Sequence, residues 1–261
     1  MTLLALPQVT LCAVTSVNVA ATVQALETCL AQIAFADCLL FTDADPAVRH
    51  PAIRIMPIAR LTSSAAYSDF MLNQLVDHVA TSHCLVVQWD GHVLDAIRWD
   101  PFFLEWDYIG ASWPQFDDGY DVGNGGFSLR SRRLMKLCRS PQFQQLHPED
   151  LAIGRTNRAW LERQGMRFAD RALANRFSAE RAGDLQTAFG YHGAFNMPRA
   201  IGPAAFWTLY RQLDDIGTVR HDFRTIAKDM WPMHGALRRI LWMAADCLRY
   251  RYRRKTAFER S

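Results

Sequence analysis

Short apolar runs alternate with longer segments of helical period over the first half of the chain. Residues 9–14 (Val-Thr-Leu-Cys-Ala-Val) read as a buried strand, and Thr15-Ser16-Val17-Asn18 as the turn that leaves it. A helix is predicted over 20–34, a second strand over 38–42 closed by Asp43-Ala44-Asp45-Pro46, and a short third over 54–58. A second helix is predicted over 63–81, with Phe70, Leu72, Leu75 and Val79 on one face. Residues 83–88 form another buried strand, left through Trp89-Asp90-Gly91-His92. Strand–helix–strand alternation with short apolar strands implies an α/β fold, Rossmann-like, with a mixed, mostly parallel sheet flanked by helices. Such sheets bind ligands beyond the carboxyl ends of their strands. Residues 15–18, Thr42-Asp43 and residues 89–92 all stand at such ends and are expected to converge on one crevice.

Beyond Asp107 the pattern is mixed. Residues 107–114 read as a short strand and turn, 116–121 as an acidic loop, and 131–138 as a helix started by Ser131. A helix over 148–165 would carry Glu149 and Asp150 in its first turn, where the helix dipole favours carboxylates. The end of the chain reads as helical. The expected organisation is a catalytic domain over 1–202 and a helical extension over 203–261, with no repeat or linker dividing them.

Composition narrows the class. Half of the 261 residues are hydrophobic, enough for a sizeable core, and the net charge of +3 gives no global field for nucleic acid. Six cysteines without CxxC spacing suggest buried free thiols in a reducing compartment rather than a cysteine zinc site. With no leader pattern and no run of about 18 apolar residues, a cytoplasmic location is expected. The charge gathers at the C-terminus, in Arg238, Arg239, Arg249, Arg251, Arg253, Arg254, Lys255 and Arg260. Leu237, Ile240, Leu241, Trp242, Met243 and Leu248 are interleaved with them. A helix of that kind suits the surface of an anionic membrane, and equally a packing helix with a solvated basic tail.

Four segments carry candidate chemistry. In Val122-Gly123-Asn124-Gly125-Gly126-Phe127-Ser128-Leu129-Arg130, three glycines around one Asn let the backbone pass close to a ligand, or simply make a tight turn before a strand. Gln88-Trp89-Asp90-Gly91 ends a strand with one carboxylate, a place for a divalent cation or for a turn Asp. Phe189-Gly190-Tyr191-His192-Gly193 leaves one imidazole among small neighbours, able to complete a metal site or to bind phosphate. Glu149-Asp150 would either cap its helix or supply the carboxylate that takes an acceptor hydroxyl's proton.

In this order the motifs resemble a bacterial family of glycosyltransferase-like proteins, domain of unknown function 5672. The matching stretches are 88–91, 107–113, 122–131, Glu149-Asp150, Phe177-Ser178-Ala179-Glu180 and 189–193, covering roughly residues 8–200. They are also similar to GT-A glycosyltransferases. That resemblance implies a divalent metal, Mn²⁺ or Mg²⁺, on Asp90 and His192. It implies Asp150 as general base and Glu149 on a sugar hydroxyl. Asn124, Gly125 and Gly126 would line the sugar site and Trp113 would stack on the acceptor. Thr15 and Asn18 would touch the nucleotide, with Gln88 beside Asp90. Gln88 departs from the pattern, since a second acid is common there, and this leaves metal dependence open. The implied activity is inverting transfer of a sugar from a nucleotide diphosphate, UDP favoured, to a hydroxyl of a glycan or lipid-linked acceptor in bacterial surface polysaccharide synthesis. A nucleotidyltransferase is disfavoured, because residues 14–18 contain no glycine, lysine or arginine. A degenerate carbohydrate- or nucleotide-binding protein of the same fold is the remaining alternative.

Overall fold

The computed structural model describes residues 3–231 and 233–258, the last eight by their backbone alone. The chain divides into two compact units, Met1–His192 and Gly193–Ser261.

The first unit is the expected α/β fold. Its sheet has six strands in the order β3-β2-β1-β4-β6-β5. β1 (Leu4–Val14), β2 (Ile33–Thr42), β3 (Ile53–Pro57) and β4 (His83–Val87) are parallel neighbours. β5 (Tyr108–Ile109) and β6 (Phe127–Ser131) complete the far edge, with β6 antiparallel to β4 from His83↔Ser131 to Val87↔Phe127. Alternate β1 side chains feed two cores. Leu11 and Ala13 face α1 (Val19–Leu30) and a cluster of Phe103, Phe127, Phe177 and Phe189; Cys12 and Val14 face α2 (Ser64–Asn73) and α3 (Leu75–His78).

The helix predicted over 63–81 breaks at Gln74 into α2 and α3 and ends at His78, with Val79 already extended, and further elements also differ from the sequence reading. β1 begins at Leu4 rather than at residue 9, because a register shift between Leu6 and Thr10 lets the strand carry Pro7, which has no N–H to pair. β2 begins at Ile33, since its first residues pair with Leu4–Leu6, and the helix before it therefore stops at Leu30. The helix over 148–165 is broken into Glu149–Leu151, a wide π turn over Ala152–Thr156, and Arg158–Arg163. The start by Ser131 is as read: its hydroxyl accepts the Leu134 N–H at 3.1 Å and caps α4 (Arg132–Leu137). Cys12, Cys29, Cys38, Cys84 and Cys138 are buried free thiols, and Cys247 is a half-buried one.

The second unit is helical, with buried Phe206, Leu209, Val219, Ile226, Met230 and Met243. It ends in the helix Ala236–Phe258, along which Leu237, Leu241 and Leu248 are 59–70% exposed. The basic side chains of Arg251, Arg253, Arg254, Lys255 and Arg260 lie outside the described residues. Among the described residues no helix is long and apolar enough to cross a membrane.

Candidate active site

The order of the parallel strands reverses at β1, whose neighbours are β2 on one side and β4 on the other. A crevice opens at such a switch point, beyond the carboxyl ends of the two strands that diverge. The segments 15–18 and 88–90 leave β1 and β4 at this edge, and Thr42 ends β2 beside them. Asn18 precedes α1 in the left-handed region, at φ 52°, which Asn tolerates better than most residues. Thr15 is engaged in its own turn: its hydroxyl bonds the Val17 carbonyl and accepts the Val17 N–H.

The glycine loop enters the same edge just before β6. Its backbone is pinned by the Tyr108 hydroxyl, which donates to the Gly123 carbonyl at 2.6 Å, and by the Ala111 carbonyl, which accepts from Gly123 and Asn124. The close approach that its glycines permit is to other parts of the protein. A Cβ on Gly126 would stand 2.1 Å from His192 Nε2, and one on Gly125 would stand 2.6 Å from Glu149 Oε1. Asn124 closes the turn, its side-chain oxygen accepting the Gly126 N–H at 3.0 Å.

His192 stands between two carboxylates. Its Nε2 is 3.4 Å from Asp90 Oδ1, and its Nδ1 is 3.5 Å from Glu180 Oε1. Burial opposes a charge on the ring, but Asp90 and Glu180 outweigh it and hold the pKa up at about 10. Gln88 Oε1 faces the same Nε2 at 3.3 Å, while Gln88 Nε2 donates to the Tyr67 hydroxyl at 3.1 Å. An amide can accept on one side and donate on the other, which a carboxylate cannot. That accounts for Gln88 where an acid would be common.

With the His192 ring deprotonated, these residues would also fit a cation. Asp90 Oδ1, Gln88 Oε1 and His192 Nε2 converge, and Glu180 on the opposite ring nitrogen is the outer partner that orients a ligating imidazole. No group of three or more His, Cys, Asp or Glu side chains is placed to hold a metal among the described residues, so the third donor of such a set would be the Gln88 amide oxygen.

Asp150 lies on the other side of the loop. Its carboxylate accepts the Gly125 N–H at 3.3 Å and the Leu151 N–H at 2.8 Å. Burial and then the neighbouring Glu149 carboxylate push its pKa up to about 6. Glu149 is spent differently. It is 5% exposed, ion-paired to Arg130 at 3.0 Å and bonded by the Ser68 hydroxyl at 3.3 Å. Arg130 is 1% exposed and also bonds Ser128 Oγ and the Gly125 carbonyl.

The structure thus gathers Gln88, Asp90, Asn124, Gly125, Gly126, Asp150 and His192 around one loop, with Thr15 and Asn18 at the end of the adjoining strand. Two expected roles need correction. Glu149, expected on a sugar hydroxyl, has its carboxylate already occupied inside the protein by Arg130 and Ser68. Trp113, expected as a stacking surface, is 7% exposed, its ring wedged against Gly123 and Gly154 and edge-on to Phe116. Three residues of the site went unread: Glu180, Arg130 and Tyr67. Glu180 and Arg130 stood within the motif stretches without a role; Tyr67 has no local signal, being one aromatic in an amphipathic helix.

Comparison with known proteins gives a family. No curated protein matches the chain. Among solved structures, a glycosyltransferase involved in the glycosylation of the major capsid of PBCV-1 is similar at 12% identity and a TM-score of 0.40, over 71% of this chain and 94% of that one. That likeness is too distant to carry an argument. The model of a family described as "Protein of unknown function (DUF5672)" matches residues 51–192, more than half of the chain. The chain belongs to the DUF5672 family.

Proposed function

We propose that this protein is a GT-A-like, inverting glycosyltransferase that moves a sugar from a nucleotide diphosphate, UDP favoured, to a hydroxyl of a glycan or lipid-linked acceptor in bacterial surface polysaccharide synthesis. The observation that carries this reading is the pair of groups held on adjacent glycines at the switch point. Asp150, with a pKa near 6, is packed on Gly125, and His192, with a pKa near 10, on Gly126. At neutral pH the first is a ready base and the second a ready cation, the two charges that displacement of a diphosphate by a hydroxyl requires.

In this reading Asp150 accepts the acceptor hydroxyl's proton as its oxygen bonds to the anomeric carbon. The bond from that carbon to the diphosphate breaks with its electron pair, and the protonated His192 ring faces the charge that develops. Arg130 pairs with Glu149 and holds it in place, and Glu149 in turn raises the Asp150 pKa. Thr15 and Asn18 border the nucleotide. A divalent Mn²⁺ or Mg²⁺ would be held by Asp90, the Gln88 oxygen and a deprotonated His192, and would then supply the positive charge for the diphosphate in place of the ring's proton. The exposed Leu237, Leu241 and Leu248, flanked by exposed Arg238 and Arg249, suit a peripheral anchor on an anionic membrane.

The test is calorimetric titration of UDP, GDP and CMP with and without Mn²⁺. One nucleotide binding tightly, and losing affinity in Asp90→Ala, is the expected result. Binding that needs no Mn²⁺ assigns the diphosphate to His192. If none of the three binds, the transferase reading is overturned.

A further inference from the structure

At the opposite end of β4 from Asp90 lies a cavity of about 510 Å³ that the proposed reaction does not use. His83 opens β4 here and Ser131 closes β6, so the length of β4, roughly 13 Å, separates it from the candidate active site. Its lining includes four cationic side chains, Arg132, Arg133, Lys136 and Arg167, against two carboxylates, Glu105 and Asp107. The carboxylates are not equivalent. Asp107 is 2% exposed and fully engaged, accepting from the Ser131 hydroxyl, from Nε and Nη2 of Arg133, and from the Arg167 N–H. Glu105 is exposed and stands 3.5 Å from Arg167. Burial keeps the His83 pKa below its usual range, so that ring adds no charge at neutral pH.

Two cations keep donors to spare. Arg132 uses Nε on the Val79 carbonyl at 2.6 Å, which leaves both terminal nitrogens. The exposed Lys136 ammonium has no partner among the described residues. On another wall the Arg167 guanidinium lies 4.7 Å over the Trp106 ring, which places an aromatic surface beside the charges. An excess of positive charge, spare N–H donors on two neighbouring side chains and an aromatic wall together make an anion site rather than a cation site.

We propose that this cavity is a second ligand site, taking a phosphorylated small molecule whose phosphate bonds Lys136 and Arg132 and whose body rests beside Trp106. It does not depend on the transferase reading.

Titration with inorganic pyrophosphate at low ionic strength tests it. Lys136→Glu is expected to weaken one class of pyrophosphate sites by about tenfold or more, the effect of losing a charge-assisted bond. His192→Ala is expected to leave that class in place. Lys136 is exposed and unbonded, so an unchanged thermal midpoint will show that the variant folds. Arg167→Ala, which frees Trp106, is expected to weaken uridine 5′-monophosphate or glucose 1-phosphate more than pyrophosphate. Whichever of those two binds more tightly identifies a nucleotide or a sugar phosphate as the natural body. Pyrophosphate binding that is the same in Lys136→Glu and wild type, or that vanishes entirely in His192→Ala, would overturn the proposal.

Discussion

Two flanks of one glycine loop show how little of a side chain's chemistry is set by burial alone. On the Gly126 flank, His192 is half-buried, and desolvation by itself would drive it neutral; Asp90 and Glu180 hold it charged. On the Gly125 flank, Asp150 is also half-buried, and there desolvation and a neighbouring carboxylate act together to hold its proton up to about pH 6. The difference lies in what each group faces. His192 meets two opposite charges, and Asp150 meets a like charge whose own countercharge, Arg130, is already committed to Glu149. One loop therefore presents a persistent cation and a titrating base side by side.

Removing the committed countercharge breaks the comparison hardest. Arg130→Met leaves Glu149 buried without its ion pair and is expected to cost about 3–5 kcal/mol in urea unfolding. The Asp150 pKa should rise further, since Arg130 is one of the groups that lower it. A loss below about 1 kcal/mol would mean the pair is not the keystone of that flank.

Asp150→Asn should give a gain. The raised pKa means that the fold favours the protonated acid, so stability falls as pH rises from about 4 to about 6 and the deficit persists above that. A shift of about two pKa units corresponds to roughly 3 kcal/mol, so the variant should be more stable than wild type by up to about that much at pH 7.5, and no different near pH 3. Transfer should be abolished, and wild-type turnover should climb as pH passes through about 6. Normal turnover in Asp150→Asn would remove it as the base.

Gly126→Ala sharpens the other flank. A Cβ 2.1 Å from His192 Nε2 must push the ring away from Asp90, at about 1–3 kcal/mol. The His192 pKa, measured by NMR, should fall from about 10 toward the ordinary range. In wild type the charged ring contributes stability that is complete below about pH 6.5 and is lost as pH rises through about 10; the variant should lose that dependence.

Gln88→Glu should have the smallest effect. It removes the N–H donated to Tyr67, worth about 0.5–1.5 kcal/mol, and adds a charge beside Asp90. Mn²⁺ affinity should increase, as followed by titration; an unchanged affinity would argue that position 88 is not a metal ligand.

The sequence by itself determined the parallel strands β1, β2 and β4, because each contains a short apolar run bounded by turn residues, and a run buried on both faces leaves little else to form; β3, an edge strand with Arg54 exposed, is marked only by its short Ile-Met pattern. It also determined the Ser131 cap, a local hydrogen bond between residues three apart. It picked out the carboxyl-end segments and the glycine loop, since turns and glycines mark themselves. What it could not supply was the object of each approach. The loop's glycines read as room for a ligand, yet Gly125 and Gly126 make room for Glu149 and His192, residues 24 and 66 positions away. Trp113 looked free to stack and Glu149 free to bind sugar until packing against Gly154 and pairing with Arg130 occupied them. Glu180 and Tyr67 acquire meaning only from the groups that folding brings to them. Local pattern follows from short-range sterics and hydrogen bonding along the chain. Which charges face one another, and so which group carries a proton at neutral pH, is decided by contacts between distant segments, and only the tertiary structure contains those.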